Sequence, residues 1–243
     1  MSTADYPDLK KIDLHIHTPR SLCYSDMTVR PEQIVEAALV FGLDAIGVTD
    51  HNSAEGVEAV RQAAAREGLA VFPGIELTTR SGHFLAIFDV DMAIARMRDF
   101  LDSVGINRER WGDAQEMTAD PVEDVMRKVT EAGGLVVAAH IERWPSGFLE
   151  TKEARTTKMA IHASQYLGAL EVTVVQNRGQ WQEGRMRGYP TRHACLQGSD
   201  AHSPTEVGRR PFLARMEKMD LATLRAALDD YEHRILFPED LTG

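Results

Sequence analysis

Residues 10–18 read KKIDLHIHT. Apolar Ile12, Leu14 and Ile16 alternate with Asp13, His15 and His17, the period of two of a β-strand, so the two imidazoles leave one face of the strand's C-terminal end. Two imidazoles side by side are a ready-made chelate for a divalent cation. Later strand-like runs carry similar groups. AIGVTDH ends on Asp50 and His51, AVFPGIEL holds Glu76, LVVAAH ends on His140, and LQGSD leads into Asp200 and His202 with the same two-residue spacing. The turn TTRSG sends the chain back into HFLAIFDV, a hairpin with Glu76 and His83 at its mouth. One histidine in such a place is most often a packed or surface residue. Six of the chain's nine, each following or ending an apolar run, with a glutamate able to bridge two cations, read as a polynuclear metal site.

Between these strands lie helical patterns. PEQIVEAALVFG is opened by Pro31 and closed by Gly42, and Ser53 to Arg66 carries Val57, Val60 and Ala64 at helical spacing. Further helices are predicted over 92–104, from an Asp120-Pro121 cap to Glu131, over 151–166 and over 221–231, with ALEVTVV and LQGSD as late strands. Alternation of this kind predicts an α/β chain with a mainly parallel sheet, and about seven strand candidates suggest closure into a barrel. The candidate ligands then fall at C-terminal strand ends, where barrel enzymes keep their active sites. His83 is the main exception, as expected if its strand runs antiparallel after the hairpin. No repeat, low-complexity tract or linker divides the chain, so residues 1–243 are predicted to form one domain.

The formal charge of −10 and pI near 5.4 argue against a general electrostatic grip on nucleic acid or an anionic membrane. Arginine outnumbers lysine 21 to 6, a bias that suits an anionic substrate, although genome base composition explains it equally well. Cys23 and Cys195 make no disulfide framework, the start MSTADYPDLKK lacks a signal peptide's apolar stretch, and no apolar run approaches the ~20 residues that span a bilayer. The expectation is a cytoplasmic protein of unspecified oligomeric state, acting on a small phosphorylated substrate without a membrane partner.

At DLHIHT, VTDHN, GIEL with GH, AAH and GSDAHS the chain resembles the polymerase and histidinol phosphatase (PHP) family of metal-dependent phosphoesterases. The likeness runs from residue 11 to about Gly208, and five motifs in order are far more specific than a lone HxH. The resemblance implies a distorted (β/α)7 barrel holding two or three Zn, Mn or Fe ions. Carried over by position, it implies that His15, His17, Glu76 and Asp200 hold a first metal. Glu76 then bridges to a second held by His83 and His140, and His51 and His202 hold a third. The family's further ligand after the HxH pair falls in TPRSLCYSDMT, where Asp26 is the candidate and Cys23 its competitor. The stretch from Asp91 to Ala119 holds only a helix and a loop, so the cap domain of some relatives is short or absent, and nothing resembles the polymerase domain of the large replicative members.

The chemistry implied is attack of a metal-activated water on phosphorus, with Asp200 or His202 taking its proton. No GxSxG segment or P-loop appears, which leaves acyl-serine and ATP-driven mechanisms without support. Phosphate contacts are expected from Arg20, Arg143, Arg178 and Arg209, with Arg143 and Arg178 foremost. Asp13 and Asp50 adjoin ligands and are expected to orient imidazoles. Trp144 and Trp181 lie near the arginines and are candidates for stacking on a base or ring, whereas His162, His193 and His233 fit no motif and are read as surface residues. Three other readings stand beside a small-molecule phosphoesterase. They are an oligonucleotide exonuclease, a C–N bond hydrolase with the same metal centre, and a non-catalytic module stabilised by metal.

Overall fold

The computed structural model describes residues 8–241, so the start of the chain, in which no signal peptide is read, falls largely outside the described residues. The first strand, β1 (Leu9–Ile16), is buried on both faces from Ile12 onward, because one face fills the barrel and the other lies under helices. It pairs in parallel with β2 (Ala45–Val48), which pairs in parallel with β3 (Ala70–Thr79). A hairpin then reverses the chain, so β4 (Gly82–Ile87) is antiparallel to both β3 and β5 (Leu135–Ala138), as the TTRSG turn predicts. Parallel pairing resumes through β6 (Leu167–Glu171) to β7 (Ala194–Leu196).

The ring closes beyond β7. Ala201 bridges to Ile16, its carbonyl accepts the His17 N–H at 2.9 Å, and its own N–H donates to the His15 carbonyl at 3.2 Å. Below that closure the first half of β1 pairs instead with β8 (Phe212–Arg215), which carries β9 (Ile235–Leu236). Among the described residues the sheet order is therefore β7-β6-β5-β4-β3-β2-β1-β8-β9, a nearly closed barrel of seven strands with a two-strand flank. Sequence reading missed the flank because β8 and β9 are short and lack a periodic pattern long enough to stand out.

The helices are α1 (Pro31–Val40), α2 (Val57–Ala64), α3 (Ile94–Ser103), α4 (Val122–Glu131), α5 (Arg155–His162), α6 (Arg178–Gln182), α7 (Leu221–Asp229) and α8 (Tyr231–Arg234). Pro31 begins α1 and Gly42, at φ +66°, turns the chain out of it. Several bounds differ from those predicted, for identifiable reasons. The helix expected over 151–166 is only α5, since the Lys158 ammonium holds the Leu149 and Thr151 carbonyls at 2.7 Å and keeps that stretch in turns. The strand expected through Val175 stops at Glu171 because the N–H groups of Thr173 and Val174 donate to the Glu142 carboxylate, not to a neighbouring strand. Asp120 does not cap α4; its carboxylate pairs with Lys128 at 2.5 Å.

Two of the three histidines read as surface residues are core. His162 and His193 pack edge-to-face, with Tyr189 and Trp181 around His162, and the His193 Nε2–H donates to the His162 carbonyl at 2.7 Å. Trp181 is fully enclosed and is packing, not a stacking surface. Only His233 is exposed, beside Asp230. Neither ring nitrogen of His162 has a hydrogen-bond partner, and burial followed by the nearness of His193 pushes its pKa down to about 4. That lies below the unfolded value near 6.5, so its contribution to stability is full above pH 6.5 and is lost as pH falls toward 4. Replacing His162 with Leu is expected to shrink the acid-induced loss of stability by about 2 kcal/mol. Urea midpoints at pH 7 and 4.5 check this, and equal losses in both proteins would discard it.

Candidate metal centre

The C-terminal ends of the parallel strands and the start of antiparallel β4, which carries His83, deliver six imidazoles to one point. Neighbouring ring centroids lie 4.0 Å apart for His17 and His202, 4.6 Å for His17 and His51, and 5.3 to 5.6 Å for His15 with His17 and His140 and for His83 with His51 and His140. At their middle is the fully buried carboxylate of Glu76. Its Oε1 meets His83 Nδ1 at 2.8 Å and His140 Nε2 at 2.9 Å; its Oε2 meets His51 Nδ1 at 3.0 Å, His17 Nε2 at 3.1 Å and His15 Nε2 at 3.3 Å. Asp200 Oδ1 adds contacts of 3.0 Å to His17 and 3.2 Å to His15.

Three groups of donor atoms are compact enough to hold a cation: His15, His17, Glu76 and Asp200; His51, Glu76 and His83; and His17, His51 and His202. The first is the set implied by family resemblance. The others distribute differently, since His51 is shared between two groups and His140 reaches Glu76 from the side. Among the described residues His15 Nε2, His51 Nδ1 and Glu76 Oε2 are buried without a hydrogen-bond partner, although all three face the same space. Buried polar atoms left in this way are costly unless a ligand satisfies them, and imidazole with carboxylate is a donor set that Zn, Mn and Fe accept.

Charge points the same way. Burial alone would raise the Glu76 carboxyl, but the rings of His51, His15 and His83 outweigh it and hold the group well below the usual carboxylate range. Asp200 is likewise lowered despite burial, by His15 and His17. In return, His15 is raised well above its ordinary value and His17 to about 9, the carboxylates overcoming desolvation, whereas burial drives His51 down to about 3. Protons on His15 and His17 thus supply the positive charge the cluster demands when no cation does.

Several imidazoles have their inner nitrogen fixed from behind. Ser21 Oγ donates to Asp50 at 2.7 Å and accepts from His17 Nδ1 at 2.9 Å, which leaves His17 Nε2 free to face the cluster. His202 Nδ1 donates to the Asp200 carbonyl at 2.9 Å. Behind His15 stands Glu171, whose Oε2 accepts from Nδ1 at 2.8 Å, both residues being buried. Gly198 is needed there, since a Cβ would lie 2.8 Å from both the Glu171 carboxyl carbon and the His15 Cβ. Glu171 was missed in the sequence, although an acid ending the apolar run LGALE is the same signal that marked Glu76.

Asp13, expected to orient an imidazole, has another task. It accepts the backbone N–H groups of Gly208 at 2.9 Å, Ser199 at 3.1 Å and His15 at 3.3 Å, pinning three segments beneath the cluster. Asp50 acts through Ser21 and also accepts from Thr18 N and Oγ1. Among the described residues the three non-glycine positions with positive φ, Asn52 (+47°), His140 (+29°) and Asp200 (+50°), all lie at this centre, where backbone strain characteristically collects. Asn52 is held by donating to the Asp113 and Glu116 carbonyls and accepting from Thr78 N, which fastens the 105–120 connection across this face.

Other expected residues fall elsewhere. Asp26 is exposed, accepts from Thr28 N and Oγ1, and belongs to none of the three groups; Ser25 hydrogen-bonded to the His202 carbonyl turns the following chain away. Cys23 is likewise exposed and belongs to none of the three groups; partial desolvation, and then the charge of Glu76, push its thiol up to about 11. Arg143 contacts Asp200 directly. Arg178 instead pairs with Asp240, donates to the Ile235 carbonyl and lies 4.1 Å over Phe237, so it anchors the C-terminal segment. Arg209 pairs with Glu206 at 3.3 Å, and Arg20 is exposed beside a cavity of about 290 Å³ lined by Thr18, Met27 and Gly56.

The family model of the PHP domain matches residues 13–181, a span holding every one of these imidazoles except His202. The chain belongs to the PHP domain family. It is 35% identical over 105 residues to the 5'-3' exoribonuclease Rnm of Salmonella typhimurium, a segment covering 41% of this chain and 34% of that enzyme. The chain therefore spans about a third of that relative's length. Among solved structures it superposes on the lesion-specific endonuclease Q of Pyrococcus furiosus with a TM-score of 0.69 at 19% identity, over 94% of this chain and 57% of that one. A two-domain protein of Bacteroides vulgatus containing a PHP-like metal-dependent phosphoesterase follows with a TM-score of 0.64 at 20% identity, covering 93% and 64%. At such identities the superpositions speak for a PHP fold alone. No helix of the described residues is long and apolar enough to cross a membrane.

In this PHP chain Glu171 is expected to matter for cation binding. Replacing it with Ala should weaken the affinity about 10- to 100-fold, by releasing the His15 ring and lowering its basicity. Glu171→Gln, whose amide oxygen can still accept from Nδ1, should recover part of the loss. Chelator competition measures both, and equal affinities in all three proteins would show that His15 needs no support from behind.

Proposed function

We propose that this chain is a metal-dependent phosphoesterase that cleaves phosphoester bonds of nucleic acid or nucleotides at the centre around Glu76. The observation that carries the proposal is the convergence of five imidazoles on one buried carboxylate, with Asp200 completing a compact four-donor group. His15, His17, Glu76 and Asp200 would hold one cation; His51, Glu76 and His83, with His140 beside them, a second; His17, His51 and His202 a third. Two or three such ions, of Zn, Mn or Fe, would supply Lewis acidity toward phosphoryl oxygens and acidify water.

The chain's own residues do the rest. Glu171 and the Asp50–Ser21 pair hold His15 and His17 with Nε2 inward. Arg143, which rests against Asp200, would swing to neutralise a phosphate drawn to the neighbouring cations. Asp200 or His202 would take the proton from water. Arg20 and Arg209 are exposed candidates for a phosphate farther out, whereas Arg178 is held by Asp240, the Ile235 carbonyl and Phe237.

The acidic net charge favours a small phosphorylated metabolite, but the names of the relatives, an exoribonuclease and a lesion endonuclease, favour nucleic acid. A local site needs only local cations, so overall charge is the weaker argument. The test is release of phosphate or nucleotide by metal-loaded protein from aryl phosphates, mononucleotides and 5'-phosphorylated oligonucleotides. Turnover of the oligonucleotides above the aryl phosphates is expected. Silence toward all three would overturn the reading, and amide hydrolysis in their place would transfer the centre to C–N bonds.

A further inference from the structure

We propose that Trp144 is a stacking platform for an unpaired nucleobase of the substrate, next to the phosphate position marked by Arg143. The proposal rests on the phosphoesterase reading and names how the substrate is gripped. Trp144 is 76% exposed, the most exposed large aromatic side chain among the described residues. Its ring therefore leaves a large apolar π-face open to a ligand.

Looseness does not account for the exposure. The turn that carries it is tied at both ends: Arg143 N donates to the His140 carbonyl at 2.8 Å and Gly147 N to the Arg143 carbonyl at 2.7 Å. The Ser146 carbonyl accepts from His83 N at 2.9 Å, which fixes the turn to the start of β4. Glu142, one residue before Arg143, accepts from Thr173 N at 2.8 Å, Val174 N at 2.9 Å and Asn177 Nδ2 at 3.0 Å. The turn is thus braced between two candidate ligands, His83 and His140, and holds an indole out in solvent.

Position supplies the ligand class. The preceding side chain, Arg143, reaches Asp200 at the heart of the cluster, so cationic and aromatic groups stand on consecutive residues beside the candidate metal centre. An anionic group against Arg143 with a flat π-surface against Trp144 describes a nucleotide. Other exposed apolar side chains stand on connections that follow strand ends on this side: Leu22 at 63% after β1, Met117 at 50%, and Val174 at 39% after β6. Such a rim suits splayed bases of a single strand better than a duplex, whose base faces are already stacked.

The test is tryptophan fluorescence of the metal-loaded protein titrated with a single-stranded ten-nucleotide phosphorothioate DNA, which resists cleavage. Buried Trp181 and partly buried Trp111 serve as internal references. Quenching is expected in the unsubstituted protein and its loss in W144F, whose ring still stacks. In Trp144→Ala, followed by anisotropy of labelled DNA, binding should weaken about 5- to 150-fold. The ratio of kcat/KM for an oligonucleotide to that for p-nitrophenyl phosphate should fall in the same variant. Absence of quenching, or equal affinity in W144A, overturns the platform, and a protein partner seated on the rim would then be the better explanation of its exposure. Quenching without turnover of any phosphoester would uphold the platform and overturn the hydrolase.

Discussion

Asp200→Asn is expected to lower turnover by about 10²- to 10⁴-fold while leaving the fold intact. Asp200 has three roles at once: Oδ1 lies against His15 and His17 in the four-donor group, the other oxygen holds Arg143, and the backbone sits at φ +50°. Asparagine is the informative replacement because it tolerates the left-handed region and keeps an oxygen for Arg143, whereas alanine would add backbone strain. What asparagine removes is the negative charge that attracts a cation and accepts a proton. Elemental analysis should then find the cation content lowered, and the chelated protein should melt lower but still cooperatively, because Asp200 also pairs with His15 and His17. A kcat within a factor of two of the original, at unchanged metal content, would remove Asp200 from the chemistry.

Glu76→Gln should do still more to the centre, because Glu76 belongs to two of the three donor groups and touches five imidazoles. Loss of at least one bound ion per chain and of turnover is expected, and unaltered stoichiometry would exclude Glu76 as a bridge. Stability of the metal-free protein should fall as well, by about 3–5 kcal/mol, the usual cost of removing one partner from a buried charge pair. The pH dependence has a definite sign. His17 in the folded protein is raised to about 9, above its unfolded value near 6.5, so its stabilising contribution is complete below pH 6.5 and is lost as pH rises through 9. Denaturation of chelated protein between pH 6.5 and 9 should show this decline, and E76Q should flatten it. Over the same window cation affinity should rise, since protons on His15 and His17 must leave for a metal to bind. A decline equally steep in E76Q would assign the His17 shift to Asp200 alone.

Much of this centre can be read without coordinates because its chemistry is local to strand ends. His15 and His17 share a face by the geometry of one strand, Glu76 and His83 meet across one hairpin, and Asp200 and His202 repeat the two-residue spacing. The alternation of strand and helix, with short connections between them, carries the barrel in the same way. What escaped are contacts between residues far apart in the chain. Glu171 reaches His15 across 156 positions and Asp13 reaches Gly208 across 195, and no period or spacing encodes either pairing.

The arginines make the same point from the other side. Arg143 and Arg178 look alike in the chain, each following a strand-like run, yet one touches Asp200 and the other is spent on Asp240 and Phe237. Trp144 and Trp181 divide likewise into an exposed ring and a buried one, and His162 is core where polarity alone argued for surface. Side-chain periodicity specifies which residues share a face of their own element, and so the identity of the strands and of most imidazoles at their ends was fixed locally. Which carboxylate backs which ring, which cation is left free, and how Ala201 closes the barrel onto Ile16 depend on packing between distant segments, where sterics and desolvation, not local preference, select the partner.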